Sequence, residues 1–257
     1  MTQRAPQASG DPVAVRDAAT VVLLREGRAG PEVFLQHRVA GMAFAAGMTV
    51  FPGGGVDGRD ADASLNWFGP EPGRWAEWFG CSESLARALV CAAVRETFEE
   101  SGVLLAGDES GVVTDTTPYE HVRTALVSRE QSLAGFLTES GLTLRADLLR
   151  PWANWITPRS ESRRYDTRFF VAALPAGQHA DGATTEAERS DWQRPADAMA
   201  AARSGDSALM PPTWVTLSEV GEYGTVSDVL AADRWVSPIQ PDLINDGNAV
   251  RVILEEP

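Results

Sequence analysis

At 257 residues the chain is long enough to bury a substantial hydrophobic core, and 44% hydrophobic with 23% charged residues is the balance of an ordinary soluble protein. A formal charge of −14 excludes broad nonspecific binding of DNA or RNA, so an anionic substrate must be received by a local positive patch or by metal. All 22 basic residues are arginine, which excludes a Walker A lysine and Schiff-base chemistry but leaves arginine recognition of phosphate open.

Residues 1–16, with Pro6, Ser9, Gly10 and Pro12, are expected to form a disordered leader, and 17–257 a single domain. Residues 18–25 read as a buried strand, and 32–36 as its return after a turn at 27–31. Phe51-Pro52-Gly53-Gly54-Gly55-Val56-Asp57 follows, a run that admits backbone geometries closed to other residues and lets a backbone approach a ligand. A segment at about 61–82 concentrates Trp67, Phe68, Trp75, Trp78 and Phe79. It packs on the domain, stacks on a substrate's adenine, covers a site, or makes a homodimer contact. Ser82 is the expected N-cap of a helix through 85–101, with Gly102 ending it. Helices are expected at 118–127 and 129–139, the second opened by a Ser128/Gln131 capping box and closed by Gly141. Strands follow at 155–157, 167–174 and 190–192. Further helices are predicted at 195–203, at 211–220, and from a Ser227 cap to 232, with a terminal hairpin between 235 and 254. Interspersed helices and strands joined by short loops indicate an α+β or α/β sandwich.

Cys81 and Cys91 are too few for a disulfide framework and lack zinc-site company, so both read as ordinary buried thiols. No stretch reaches the roughly 18 consecutive apolar residues of a membrane helix, and the N-terminus has no apolar signal core. No membrane partner and a cytoplasmic location are therefore expected.

The densest chemistry lies in residues 95–103, Arg-Glu-Thr-Phe-Glu-Glu-Ser-Gly-Val. On a helix Glu96, Glu99 and Glu100 are spaced i, i+3, i+4 and share a face, with Cys91, Val94 and Phe98 roughly opposite. Glu-rich helices in general present such a face to solvent. The alternative is a metal site: three close carboxylates repel one another unless a cation sits between them, and an all-oxygen set suits Mg²⁺ or Mn²⁺. Arg95 is placed to orient Glu99 by an i,i+4 pair or to fix the glycine loop.

Together the glycine run and this helix resemble the box of the Nudix hydrolase family. Its second half, Arg-Glu-aliphatic-x-Glu-Glu-x-Gly-aliphatic, matches from Arg95 to Val103, with Thr97 at the first aliphatic position. Gly54 takes the leading glycine and Asp60 the first acidic position, and residues 61–94 lie where the family has a much shorter spacer. His37-Arg38, Gly47 and Phe51-Pro52-Gly53-Gly54 resemble the extra motif of coenzyme A diphosphatases, with Ala43 where that motif has its second arginine. The insertion, with Trp155-Ile156-Thr157-Pro158 and Arg163 to Phe170, is similar to the peroxisomal coenzyme A diphosphatase branch and its bacterial relatives.

The resemblance implies a Nudix fold: an α/β/α sandwich with a mixed sheet between helices, an aromatic insertion at 61–82 and a C-terminal extension at about 211–257. It implies a Mg²⁺- or Mn²⁺-dependent diphosphatase, with Glu96, Glu99 and Glu100 as catalytic metal ligands, Arg95 beside them, and a small nucleotide as substrate. Coenzyme A or an acyl derivative is the first choice; ADP-ribose, a dinucleotide or a nucleotide sugar is the second, and a silent nucleotide-binding module the third. Gly53 and Gly54 would set the loop beside the helix, and Arg38 is a substrate contact. Arg164 and Arg168, four residues apart on a strand, would share a face by alternation and hold a phosphate, or would form an exposed strand edge paired with Glu161 and Asp166. Glu186 and Glu188 are candidates for a base or a further ligand from a late loop.

Overall fold

Val21, Val22, Leu23 and Leu24 form an unbroken apolar run, the pattern of a strand covered on both faces. In the computed structural model, which describes residues 13–39, 41, 45–62, 64–245 and 250–253, this run lies in the long strand β1 (Val15–Gly27) inside the main sheet. The other strands are β2 (Gly30–Arg38), β3 (Thr49–Val50), β4 (Gly53–Gly55), β5 (Trp67–Phe68), β6 (Ala106–Asp108), β7 (Gly111–Val112), β8 (Thr143–Arg145), β9 (Leu149–Ile156), β10 (Arg164–Ala173), β11 (Ala187–Gln193), β12 (Pro238–Ile239), β13 (Asp242–Asn245) and β14 (Val250–Ile253). The helices are α1 (Pro72–Phe79), α2 (Glu83–Ser101), α3 (Glu120–Val127), α4 (Leu133–Glu139), α5 (Pro195–Ser204), α6 (Pro211–Val220) and α7 (Val226–Ala231).

The main sheet runs β11-β2-β1-β10-β9-β12, with β3 added to β2 and β4 to β1. It is mixed: β1 is parallel to β10 and β12 to β9, and the remaining pairs are antiparallel. Ala19, Val21 and Leu23 face one side and pack with α1 and α2. Val22 and Leu24 face the other, against Ala198 of α5, Leu217 of α6 and Val229 of α7. A mixed sheet between helical layers is the sandwich expected from the sequence. Strands β5-β8-β6-β7 form a small second sheet, and β13 pairs with β14 as the terminal hairpin. No helix among the described residues is long and apolar enough to cross a membrane.

Several boundaries differ from the sequence reading. Strand β1 starts at Val15, which pairs with Arg164, so the leader does not extend to 16; residues 1–12 lie outside the described residues, as does Ala43. Residues 129–139 are not one helix. Ser128 closes α3, Arg129 has φ 63°, and α4 is capped by Ser132, whose hydroxyl accepts from the Gly135 N–H at 3.1 Å. A residue in the left-handed region interrupts a helix, and that overrides the Ser128/Gln131 pattern. Thr225, not Ser227, caps α7.

Most of the aromatic insertion packs on the core, with Trp67 and Trp78 partly buried against it, whereas Phe68 is 56% exposed. Trp75 and Phe79 are buried against Phe170, with ring centroids 5.4 and 5.1 Å away. The Trp67 and Trp75 indoles both donate to the Pro70 carbonyl, at 2.8 and 3.1 Å. None of the five aromatic residues lines the cleft described below, so they neither stack on a substrate there nor cover it.

Candidate active site

The site is built on α2. Ser82 caps its start by accepting from the Leu85 N–H at 3.2 Å, and Gly102 (φ 71°) ends it. The helix is not the amphipathic helix with a solvated acidic face that Glu-rich sequences generally give. Apolar residues surround it, and Glu96 and Glu100 are only 9% and 6% exposed. These two carboxylates, with Glu99, line a cleft of about 1050 Å³.

Strand β4 brings backbone against the acidic face, because Gly53, Gly54 and Gly55 pair with Thr20, Ala19 and Ala18 of β1. The Gly53 N–H donates to Glu100 Oε2 at 3.0 Å. A Cβ on Gly53 would lie 2.5 Å from the Ala19 carbonyl oxygen, so that position requires glycine, and one on Gly54 would lie 2.5 Å from Glu96 Oε1 and displace that carboxylate. From the other side the Gln36 amide donates to the Glu100 carbonyl at 3.1 Å.

Arg95 joins these parts, and it makes both of the contacts expected of it, to Glu99 and to the glycine loop. Its Nη1 reaches Glu96 Oε1 at 2.7 Å and Glu99 Oε1 at 3.3 Å, and its Nη2 donates to the Gly55 carbonyl at 2.9 Å. The remaining edge of the guanidinium forms a bidentate pair with Asp60, at 3.0 Å for both bonds. Asp60 is buried and also accepts from the Asp57 N–H at 2.8 Å, within a 3-10 turn at Gly58–Ala61. The long insertion therefore leaves the contact between the two halves of the box intact. Asp57 caps the same turn, and hydrogen bonds from Arg59 hold its carboxyl down at about 2.

Burial pushes the Glu96 carboxyl up to about 7, with the Glu99 charge adding to the effect and Arg95 opposing it. Burial raises Glu99 too, against the pull of Arg95. Glu100 is pushed well above the usual carboxylate range by burial, then by the charges of Glu96 and Glu186, while the Gly53 N–H and Arg38 pull the other way. One guanidinium thus does not offset this cluster at neutral pH. Among the described residues no three acidic, histidine or cysteine side chains already converge as a metal cage.

This has a measurable consequence. Carboxyls raised in the folded state hold protons that the unfolded chain has released, so stability is highest near and below pH 4.5 and falls as pH rises through about 7. The site's contribution should therefore lower the metal-free melting temperature between pH 5 and pH 8. A divalent cation bound by these carboxylates should restore more stability at pH 8 than at pH 5. Thermal melts in EDTA and in Mg²⁺ across that range test it; a Mg²⁺ gain that does not grow with pH contradicts it.

The other expected residues separate into two sets. Arg38 lines the cleft and pairs with Glu186 at 2.6 Å; Glu186 lines the cleft also, and Glu188 does not. Arg164 and Arg168 share a face of β10, as alternation predicts, but neither lines the cleft. Arg164 donates to the Thr157 carbonyl at 3.2 Å, and Arg168 pairs with Asp17 and Asp166 at 2.8 and 2.9 Å. Strand alternation puts them on the face opposite Tyr165 and Thr167, which do line the cleft. They are buried structural ion pairs and hydrogen bonds, so the phosphate role expected of them is corrected.

One contributor has no signal in the sequence. Arg123 of α3 is 3% exposed, donates through Nε to the Glu99 carbonyl at 3.0 Å, and pairs with Asp181 at 2.9 Å. Asp181 in turn donates its N–H to the Ser101 carbonyl at 2.9 Å. The C-terminal turn of α2 is thereby tied to the loop that leads to Glu186.

Comparison with known proteins places the chain in a family. Residues 82–220 match the family model described as the NUDT19 Nudix domain. The acyl-coenzyme A diphosphatase NUDT19 of Xenopus laevis is 25% identical over 236 residues, covering 77% of the chain and 62% of that protein. The human protein of the same name is 26% identical over 237 residues, covering 78% and 63%. The chain thus spans about three-fifths of the length of these curated relatives. The crystal structure of a Nudix hydrolase from Alicyclobacillus acidocaldarius superposes with a TM-score of 0.74 at 26% identity, covering 87% of the chain and 98% of that structure.

Proposed function

The chain belongs to the NUDT19 Nudix family, and from that membership we propose that it is a divalent-metal-dependent diphosphatase acting on coenzyme A or an acyl-coenzyme A, releasing 3′,5′-ADP and (acyl-)4′-phosphopantetheine. The observation that carries this reading is the buried acidic face of α2. Glu96, Glu99 and Glu100 line one cleft beside a glycine strand, three carboxylates of which Arg95 pairs directly with Glu96 and Glu99.

These three carboxylates offer only oxygen donors, a set that fits Mg²⁺ or Mn²⁺. When bound there, such an ion neutralises diphosphate oxygens and makes water more acidic. The chain's own residues do the positioning. Gly53 fixes one oxygen of Glu100, and Arg95 holds Glu96 and Glu99 in register with the Gly55 carbonyl. Arg95 has its donors filled by protein oxygens, so its part is to orient the ligands rather than to bind substrate. Arg38 stands at the cleft wall as a substrate contact, and its partner Glu186 lies close enough to raise Glu100.

The test is incubation with Mg²⁺ and a panel of coenzyme A, acetyl-coenzyme A, ADP-ribose, NADH and diadenosine polyphosphates, with products resolved by chromatography. Selective release of 3′,5′-ADP from the coenzyme A species is expected. Preference for ADP-ribose or a dinucleotide would keep the metal chemistry and replace the substrate. No turnover of any member with Mg²⁺ or Mn²⁺ would favour a silent nucleotide-binding module.

A further inference from the structure

Most guanidiniums around the cleft are already engaged: Arg38 by Glu186, Arg59 by Asp57, and Arg95 by Asp60. Arg16 and Arg163 are different. Both line the cleft, and neither has a hydrogen-bond or ion-pair partner among the described residues. Glu161 lines the same end without pairing with either.

The sheet register fixes where they stand. Arg16, Ala18 and Thr20 alternate onto the cleft side of β1, as Tyr165 and Thr167 do on β10. Arg16 is register partner to Tyr165, and Ala18 is partner to both Thr167 and Gly55. Arg163 precedes Tyr165 by two residues, just outside the strand. One strand spacing across and two residues along put the Arg16 backbone about 8 Å from that of Gly55, whose carbonyl Arg95 holds. The pair therefore borders the carboxylate site without being part of it.

Two unneutralised arginines facing one end of a cleft, in a chain of net charge −14, make a local positive potential against the overall field. The planar fork of each suits phosphate oxygens, and the Tyr165 position between them offers a ring beside a bound nucleoside. We propose that Arg16 and Arg163 form a phosphomonoester subsite, which receives a second phosphate carried by the nucleotide half of the substrate. The proposal rests on the diphosphatase reading and adds to it the residues by which the cleft would recognise a ribose phosphate.

Binding and turnover are read separately to test it. Calorimetry should show wild-type protein binding 3′,5′-ADP about tenfold more tightly than 5′-AMP. The double variant Arg16→Gln/Arg163→Gln should lose that preference. Both side chains are exposed, so its melting temperature should match wild type. The ratio of kcat/KM for coenzyme A over 3′-dephospho-coenzyme A should fall by a similar factor in the variant. No binding preference in the wild type, or an equal preference in the variant, overturns the subsite. Absence of turnover of both substrates while the binding preference is present, and is lost in the variant, supports the subsite and counts against the diphosphatase reading.

Discussion

Glu100→Gln is expected to lower kcat by about a thousandfold while making the metal-free protein more stable at pH 8. The two effects have one cause. Glu100 is 6% exposed, and its charged form is disfavoured by burial and by the charges of Glu96 and Glu186. An amide keeps an oxygen to accept the Gly53 N–H and removes the buried charge. It also removes a cation ligand. Relief of about 1 kcal/mol would raise the melting temperature by about 2–4 °C for a chain of this size. The rate is measured with saturating Mg²⁺ and the melt in EDTA. A variant that is inactive and less stable would show that the Gln side chain disturbs the fold, and unchanged turnover would remove Glu100 from the metal site.

Asp60→Ala is expected to act in the opposite sense, destabilising the protein by about 3–5 kcal/mol, the usual effect of stripping one partner from a buried ion pair. Arg95 would lose its bidentate acceptor, and the Asp57 N–H would lose its partner in the 3-10 turn. Activity should fall by about 10- to 100-fold, as for residues that orient ligands rather than serve as them, because the same guanidinium fixes Glu96, Glu99 and Gly55. Urea denaturation gives the stability and steady-state kinetics the rate. A loss below about 1 kcal/mol would mean that Glu96 and Glu99 suffice to hold Arg95.

Residues 95–103 were legible because their signal is local: helical spacing alone puts three carboxylates on one face and a terminating glycine after them. Which way that face points was not local. Burial of Glu96 and Glu100 follows from β4 and β1 crossing the helix, and no window of α2 contains that information. Asp60 was visible only through a family pattern, since its partner lies 35 residues on and the fold alone joins them. Arg123 had no local signal: one partner is the Glu99 carbonyl, which carries no side-chain identity to read, and the other, Asp181, lies 58 residues on.

For Arg164 and Arg168 the periodicity of two was right and the assignment wrong. Alternation divides a strand into two faces without saying which one meets the cleft. The aromatic run at 67–79 failed to decide among core, cover and contact for a related reason, because the same residue types serve all three. The Ser128/Gln131 pattern competed with an equally good cap at Ser132, and the left-handed Arg129 settled the matter in favour of the second.

The parallel pairing of β1 with β10 also bears on how the chain is made. A ribosome delivers residues in order, at about 5–20 per second. β1 can pair early with β2, but its partner along the other edge is encoded about 150 residues later, so roughly 7–30 s of synthesis separate them. During that interval one edge of an apolar strand has no native mate. Slow codons between the two segments would lengthen this exposed period, and chaperone dependence during translation should be greater than the final stability of the domain suggests.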